Sequence, residues 1–241
     1  MHLYIPDENQ VTSAKEFHSS ILNLAHKPLI AEVSEFGSDP WYLRSIENAS
    51  LWSKIRAQSV NLDEITENTQ GVKTGNNNAF TVSAETADEA GLERDVLVPV
   101  AEAQNVRRYT LQADEFVIYT DGSSDIDTVP AVKSYLLKFK QALASRAECN
   151  RGQYPWWRLQ RPRDSDQLLH GERILVPLYA TYNRFYYSKN VVVGMTDVYI
   201  IFVTDDNYEA PFLAAVLNSR LLRACADRRV ANVSNSRGVA I

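Results

Sequence analysis

Two stretches of this 241-residue chain carry side chains able to grip a polar ligand. The first is Gln70-Gly71-Val72-Lys73-Thr74-Gly75-Asn76-Asn77-Asn78-Ala79-Phe80. Glycine and asparagine reach positive φ at low cost, so this composition predicts a tight loop of special backbone geometry. Its lysine, threonine and asparagines are groups that contact phosphates and base edges. A nucleotide-binding P-loop is excluded, because Lys73-Thr74 precedes Gly75, whereas that motif needs the pair after its second glycine. The plainer reading is a turn and nothing more. The second stretch, residues 151–163, holds four arginines (Arg151, Arg158, Arg161, Arg163) and no acidic residue, beside Tyr154, Trp156 and Trp157. Arginine forks suit phosphate and guanine, and aromatic rings give a stiff platform. The competing reading fills the core with tryptophan and pairs the arginines with distant carboxylates. Four cations without a neighbouring acid favour nucleic acid. Basic and polar residues recur at Arg107-Arg108-Tyr109 and over 182–189, which includes Asn183, Arg184 and Lys189.

Other chemistry is missing. No Asp-x-Lys or Glu-x-Lys occurs to hold a nuclease metal and activate water. No Pro-Pro pair occurs, so the Asn-Pro-Pro-Tyr-like motif of an adenosylmethionine-dependent DNA methyltransferase is absent. Serine nucleophile elbows and His-Glu-x-x-His helices are absent too. The four histidines are scattered, and Cys149 and Cys225 fit no metal-ligand spacing, so neither a metal site nor a disulfide is expected. The expectation is a chain that is not an enzyme by itself.

Hydrophobic content of 45% and charged content of 23% are those of a globular protein. No apolar run approaches a membrane span and no secretory leader opens the chain, so a cytoplasmic protein without membrane contact is expected. The net charge of −5 hides a division. Residues 1–127 carry nine basic and 21 acidic residues, and residues 128–241 carry 16 basic and nine acidic. Such asymmetry fits one face on a polyanion, or two solvated surfaces of opposite sign.

Periodicity supplies the elements that must position these groups. Helices are expected over 11–26 and 47–58, with a strand over 30–33 and a turn at 37–40. A short exposed helix follows the first loop and stops at Gly91, and strands are expected over 96–100 and 116–119. Val132, Tyr135, Leu136, Phe139 and Leu143 form one apolar stripe, predicting a single helix over 130–146 with Lys133, Lys138, Lys140 and Arg146 off the stripe. Residues 174–179 read as a strand in which Pro177 marks an edge or an end. Strands over 191–193 and 196–203 precede a last helix over 208–223, with Leu213, Val216, Leu217 and Leu221 inward. Strands and helices alternate irregularly, which favours an α+β fold: a twisted sheet, mixed or mainly antiparallel, packed with helices.

Taken in order, Leu51-Trp52-Ser53-Lys54-Ile55, the Gly71–Phe80 loop, Asn105-Val106-Arg107-Arg108-Tyr109, residues 116–119, the helix from Pro130, Trp157 with Gln160 to Arg163, Asn183-Arg184-Phe185 and Leu217-Asn218-Ser219 resemble a known family. It is the TaqI-like C-terminal specificity domain, or target recognition domain, of Type IIG restriction-modification enzymes and adenine-N6 DNA methyltransferases. The resemblance covers about residues 40–225, making 41–241 the recognition domain and 1–40 an N-terminal extension or connector. It implies a domain that lies along duplex DNA and selects the methylation site in bacterial-type defence. A methyltransferase domain on the N-terminal side of the same polypeptide would bind S-adenosylmethionine, flip the adenine and methylate it. This chain itself would need no cofactor. The resemblance places Lys73, Thr74, Asn76, Asn77 and Asn78 in a loop that approaches DNA, and Arg107 and Arg108 on the backbone. It also places Trp156, Arg158, Arg161, Arg163, Asn183, Arg184 and Lys189 in segments that vary with the base read. The alternative function is a protein-interaction module docking on a methyltransferase or other acidic partner.

Overall fold

The computed structural model describes residues 2–3, 29–30, 54–55, 57–123, 125–223 and 239–240. The chain divides into two units, Met1–Asn61 and Leu62–Ile241. In the first, β1 (His2–Leu3) pairs antiparallel with β2 (Leu29–Ile30). The helix expected over 11–26, the turn at 37–40 and most of the helix expected over 47–58 lie outside the described residues.

The second unit is α+β. Its strands are β3 (Thr66–Gln70), β4 (Thr81–Ser83), β5 (Leu97–Ala101), β6 (Glu115–Ile118), β7 (Arg173–Pro177), β8 (Tyr179–Ala180), β9 (Tyr186–Ser188), β10 (Val193–Gly194), β11 (Val198–Val203) and β12 (Val239–Ala240). One four-stranded sheet runs β10-β5-β6-β4, antiparallel except where β10 lies parallel to β5. The other runs β3-β11-β7-β9 and is antiparallel throughout. The single sheet expected from the sequence is thus two, and β12 pairs separately with β8.

Strand β7 is buried at all five positions because β11 and β9 flank it and packing covers both faces. Pro177 closes it, which makes the proline a strand end in a central strand. The guanidinium of Arg173 is buried in the same strand and donates to the carbonyls of Leu168, His170 and Gly171. Burial pushes its pKa down to about 10. Strand β3, Thr-Glu-Asn-Thr-Gln, shows no apolar alternation, and sequence reading assigns no strand there. Pairing with β11 makes it one, with Glu67 and Asn68 exposed at the edge of the sheet.

The helices that matter are α1 (Asn77–Phe80), α2 (Ala84–Glu89), α3 (Pro130–Leu137), α4 (Lys140–Ala144) and α5 (Ala210–Leu217). Ser83 caps α2 by accepting from the Thr86 amide at 3.1 Å, and Gly91 ends that segment at φ +61°. The single helix expected over 130–146 is broken. The Phe139 amide donates to the Leu136 carbonyl at 2.9 Å, a tighter three-residue step that separates α3 from α4. Val132, Leu136 and Leu143 still reach the core, while Tyr135 and Phe139 sit at its margin. On α5 the inner face is Ala210, Leu213, Ala214 and Leu217. That face includes two alanines in place of Val216, which is exposed. The helix expected over 208–223 breaks at Asn218-Ser219, so Leu221 lies past α5 and is exposed too, contrary to the stripe expected from sequence. One core gathers Val72, Phe80, Ile118, Leu136, Leu143 and Leu159, and another places Ile174 and Val176 against Leu213 and Leu217. Each such side chain contributes about 1.5–3 kcal/mol by leaving water.

Candidate nucleic-acid interface

Past β3 the chain slides under the turn at 195–197. The Gly71 amide donates to the Val198 carbonyl and the Val72 amide to Gly194, both at 2.8 Å. A Cβ on residue 71 would collide with the Gly194 and Met195 backbone, so the close approach requires glycine. Val72 is fully buried and fixes the loop to the core. Thr74, only 1% exposed, donates its hydroxyl to Asn77 Oδ1 at 2.6 Å and accepts from the Asn76 amide at 3.1 Å. Gly75 then takes φ +78°, and α1 ends on the fully buried Phe80. Asn76 occupies the N-cap of α1, yet its side chain makes no capping bond. Lys73, Asn77 and Asn78 are exposed.

Residues 154–163 cross this loop. Lys73 and Arg161 form an antiparallel bridge, the Lys73 amide donating to the Arg161 carbonyl at 3.0 Å and the Arg161 amide to Lys73 at 2.8 Å. A groove of about 330 Å³ lies beside them, lined by residues 72–77 with Gln160, Met195 and Thr196. The arginines of this segment have different fates. Arg158 donates from Nε to the Asp121 carbonyl and lies over the Tyr154 ring at 5.1 Å. Arg163, at φ +69°, donates to the Gly71 carbonyl and to Gln70 Oε1, each at 3.0 Å. Burial, then the charge of Arg161, holds the Arg163 guanidinium below its usual range. Arg161 is exposed. Trp156 is half-buried against the core, with the Lys140 ammonium 5.5 Å from its ring centroid.

Arg146 ties the two strips together, although the sequence placed it on the outer face of a helix. Its guanidinium donates to the carbonyls of Leu143, Thr74, Trp156 and Arg158 at 2.6–3.0 Å. Periodicity could not show this, because Arg146 lies beyond the last turn of α4 and points by the loop geometry.

A second cationic group forms where residues 103–108 meet residues 179–184. Arg107 and Arg184 both donate to the Val106 carbonyl, at 3.1 and 3.4 Å. Arg108 and Arg184 each lie 5.6 Å from the Tyr182 ring centroid. Arg108 also donates to the Asn183 carbonyl at 2.9 Å. Asn183 itself is buried, its side chain donating to the Leu217 carbonyl at 2.8 Å. Asn218 accepts from the Phe185 amide at 3.0 Å and donates to its carbonyl at 2.6 Å. The Asn183-Arg184-Phe185 and Leu217-Asn218-Ser219 pieces are therefore each other's partners. Lys189 is exposed just past β9.

The turn at 195–197 joins both groups. On one side Gln70 Nε2 donates to the Thr196 carbonyl at 2.6 Å. On the other, the Met195 amide donates to Ala101 at 2.9 Å and Asp197 Oδ2 accepts from the Ala103 amide at 3.0 Å. Thr196, which sequence reasoning did not single out, is thus held rigidly at the groove.

No family model and no curated protein matches the chain. Among solved structures, the Type IIL restriction-modification enzyme MmeI in complex with DNA aligns at a TM-score of 0.45 and 13% identity, over 64% of this chain and 21% of that one. That score is too low to carry an argument. The type IIG restriction endonuclease BpuSI aligns at a TM-score of 0.53 and 11% identity, over 80% of this chain and 24% of that one. This chain spans about a quarter of the length of BpuSI and about a fifth of that of MmeI, and with part of BpuSI it shares a fold.

Proposed function

We propose that this chain recognises duplex DNA as the specificity domain of a restriction-modification adenine-N6 methyltransferase, with the chemistry on another part of the same polypeptide. The observation that carries the reading is the pair of cationic groups, Lys73–Arg161 and Arg107–Arg108–Arg184, held on either side of one rigid turn. The likeness of fold to part of a type IIG restriction endonuclease supports it. On this reading the DNA-facing groups are Lys73, Asn76, Asn77, Asn78, Arg107, Arg108, Arg161, Arg184 and Lys189. Thr74, Arg158, Arg163, Asn183 and Trp156 shape the surface. S-adenosylmethionine belongs to the methyltransferase domain, and the protein works in the cytoplasm.

Selection of duplexes from a random pool by the purified chain at low salt tests the proposal. Enrichment of a short motif is expected, with log K falling against log salt at a slope of about −4 to −5 for four to six phosphates. No enrichment and no bulk duplex binding would overturn it. A second reading, a module docking on a methyltransferase domain or another protein, is favoured by the outer face of α5. There Phe212 and Val216, one helical turn apart, are 60% and 38% exposed on a helix already buried on its other side.

A further inference from the structure

We infer that Lys73 and Arg161 form a clamp for a single phosphate group, a site that deepens the DNA-recognition reading and rests on it for the source of that phosphate. In an antiparallel bridge that exchanges both backbone hydrogen bonds, the two side chains leave the ladder on the same side, with Cβ atoms about 4.5–5.5 Å apart. Like charges placed directly opposite one another are destabilising. No ion pair among the described residues relieves this repulsion: Arg94–Asp88 and Lys133–Asp127 include neither cation. Glu148, whose carboxyl is held low by its own amide and by Gln160, feels Lys73 only as the last of the charges that lower its pKa, after Arg151, and forms no ion pair with Lys73 or Arg161.

The cations nearby cannot substitute. Arg146, Arg158 and Arg163 are committed to carbonyls and to Gln70, which leaves Lys73 and Arg161 as the exposed charges of this crossing. Their chemistry is complementary. A guanidinium fork takes two non-bridging phosphate oxygens, and an ammonium adds a point charge from the other strand. The adjacent groove, which Lys73 and Gln160 line, offers room, with Thr196 and the Asn76 side chain, which makes no capping bond, at its margin. A bound phosphate converts an unfavourable cross-strand pair into a favourable triplet.

The test follows the Lys73 and Arg161 amide resonances of the 241-residue chain as inorganic phosphate is added against chloride at matched ionic strength. Saturable shifts at these two amides are expected, absent in K73M/R161M. In R161E the new opposite pair should also abolish them, and a dispersed amide spectrum in either variant confirms folding. Duplex binding by K73M/R161M should show a salt slope shallower by about 0.9, the loss of one phosphate, and the two single variants should not add. Phosphate shifts that persist in folded K73M/R161M, or that map elsewhere, overturn the clamp whatever the DNA result. Shifts lost in the variant while the wild-type chain ignores duplex keep the clamp, assign it to a free phosphate-bearing molecule and remove the DNA reading.

Discussion

Arg146 Nη1 donates to the Thr74 carbonyl at 3.0 Å, joining the end of α4 to the turn that presents Lys73 and Asn76. The same guanidinium lies 5.8 Å from the Phe80 centroid and 5.3 Å from that of Tyr154, and burial holds its pKa down. Replacing it by methionine removes the donors for the Thr74, Trp156 and Arg158 carbonyls at once. R146M should lose about 3 kcal/mol of stability in urea unfolding. A loss below about 0.5 kcal/mol would show that water replaces the guanidinium and that the crossing holds without it.

Two glycines separate steric from conformational need. Gly71 has backbone against its Cβ position, whereas Gly152 has open space but φ +71°. G71A should cost about 3 kcal/mol through overpacking, and G152A about 1 kcal/mol through the left-handed backbone alone. Asparagine should recover part of the loss at 152 and none at 71. Equal losses for the two alanine variants would contradict this division.

Arg161 and Arg163 are two residues apart and should separate in the same way. R163A breaks bonds to the Gly71 carbonyl and Gln70, and should lower stability by about 2 kcal/mol. R161A should leave stability within about 0.5 kcal/mol while weakening duplex binding. Urea unfolding and fluorescence anisotropy on the same preparations measure both. The reverse pattern would move the interface away from Arg161.

Tyr119 gives a pH dependence. Its buried hydroxyl donates to the Pro162 carbonyl at 3.0 Å, and burial, then the charges of Asp121 and Asp164, push the phenol above its ordinary range. Above pH 10 the unfolded chain releases a proton that the folded chain keeps, so this contribution falls as pH rises. At pH 7 Y119F should be about 1 kcal/mol less stable than wild type. That gap should shrink by about 1.4 kcal/mol per pH unit above pH 10 in unfolding series. A gap constant to pH 11.5 would mean that the phenol titrates normally.

The sequence disclosed what repeats at a period or depends on one special residue. Strands β6, β7 and β11 announced themselves as apolar runs, and α2 by its Ser83 start and Gly91 stop. Strand β3 did not, because its partner, not its own composition, makes it a strand. The break between α3 and α4 left the apolar stripe unchanged, so periodicity ran straight through it. At the candidate interface, composition found both cation-rich stretches. It could not tell an arginine that faces out, Arg161, from one bonded inward, Arg158 or Arg163. That difference lies in carbonyls contributed by residues 70, 71 and 121, which no local pattern connects to them.

The pairing of β3 with β11 sets Thr66 opposite Val203, and β11 is also the strand that joins β3 to β7. On a ribosome adding roughly 5–20 residues per second, β3 emerges on the order of ten seconds before its partner exists. The other sheet, whose β4, β5 and β6 all fall between them, can assemble during that interval. The second sheet then forms last, so a nascent chain arrested before residue 198 should hold the first core short of Ile200 and expose the polar edge of β3.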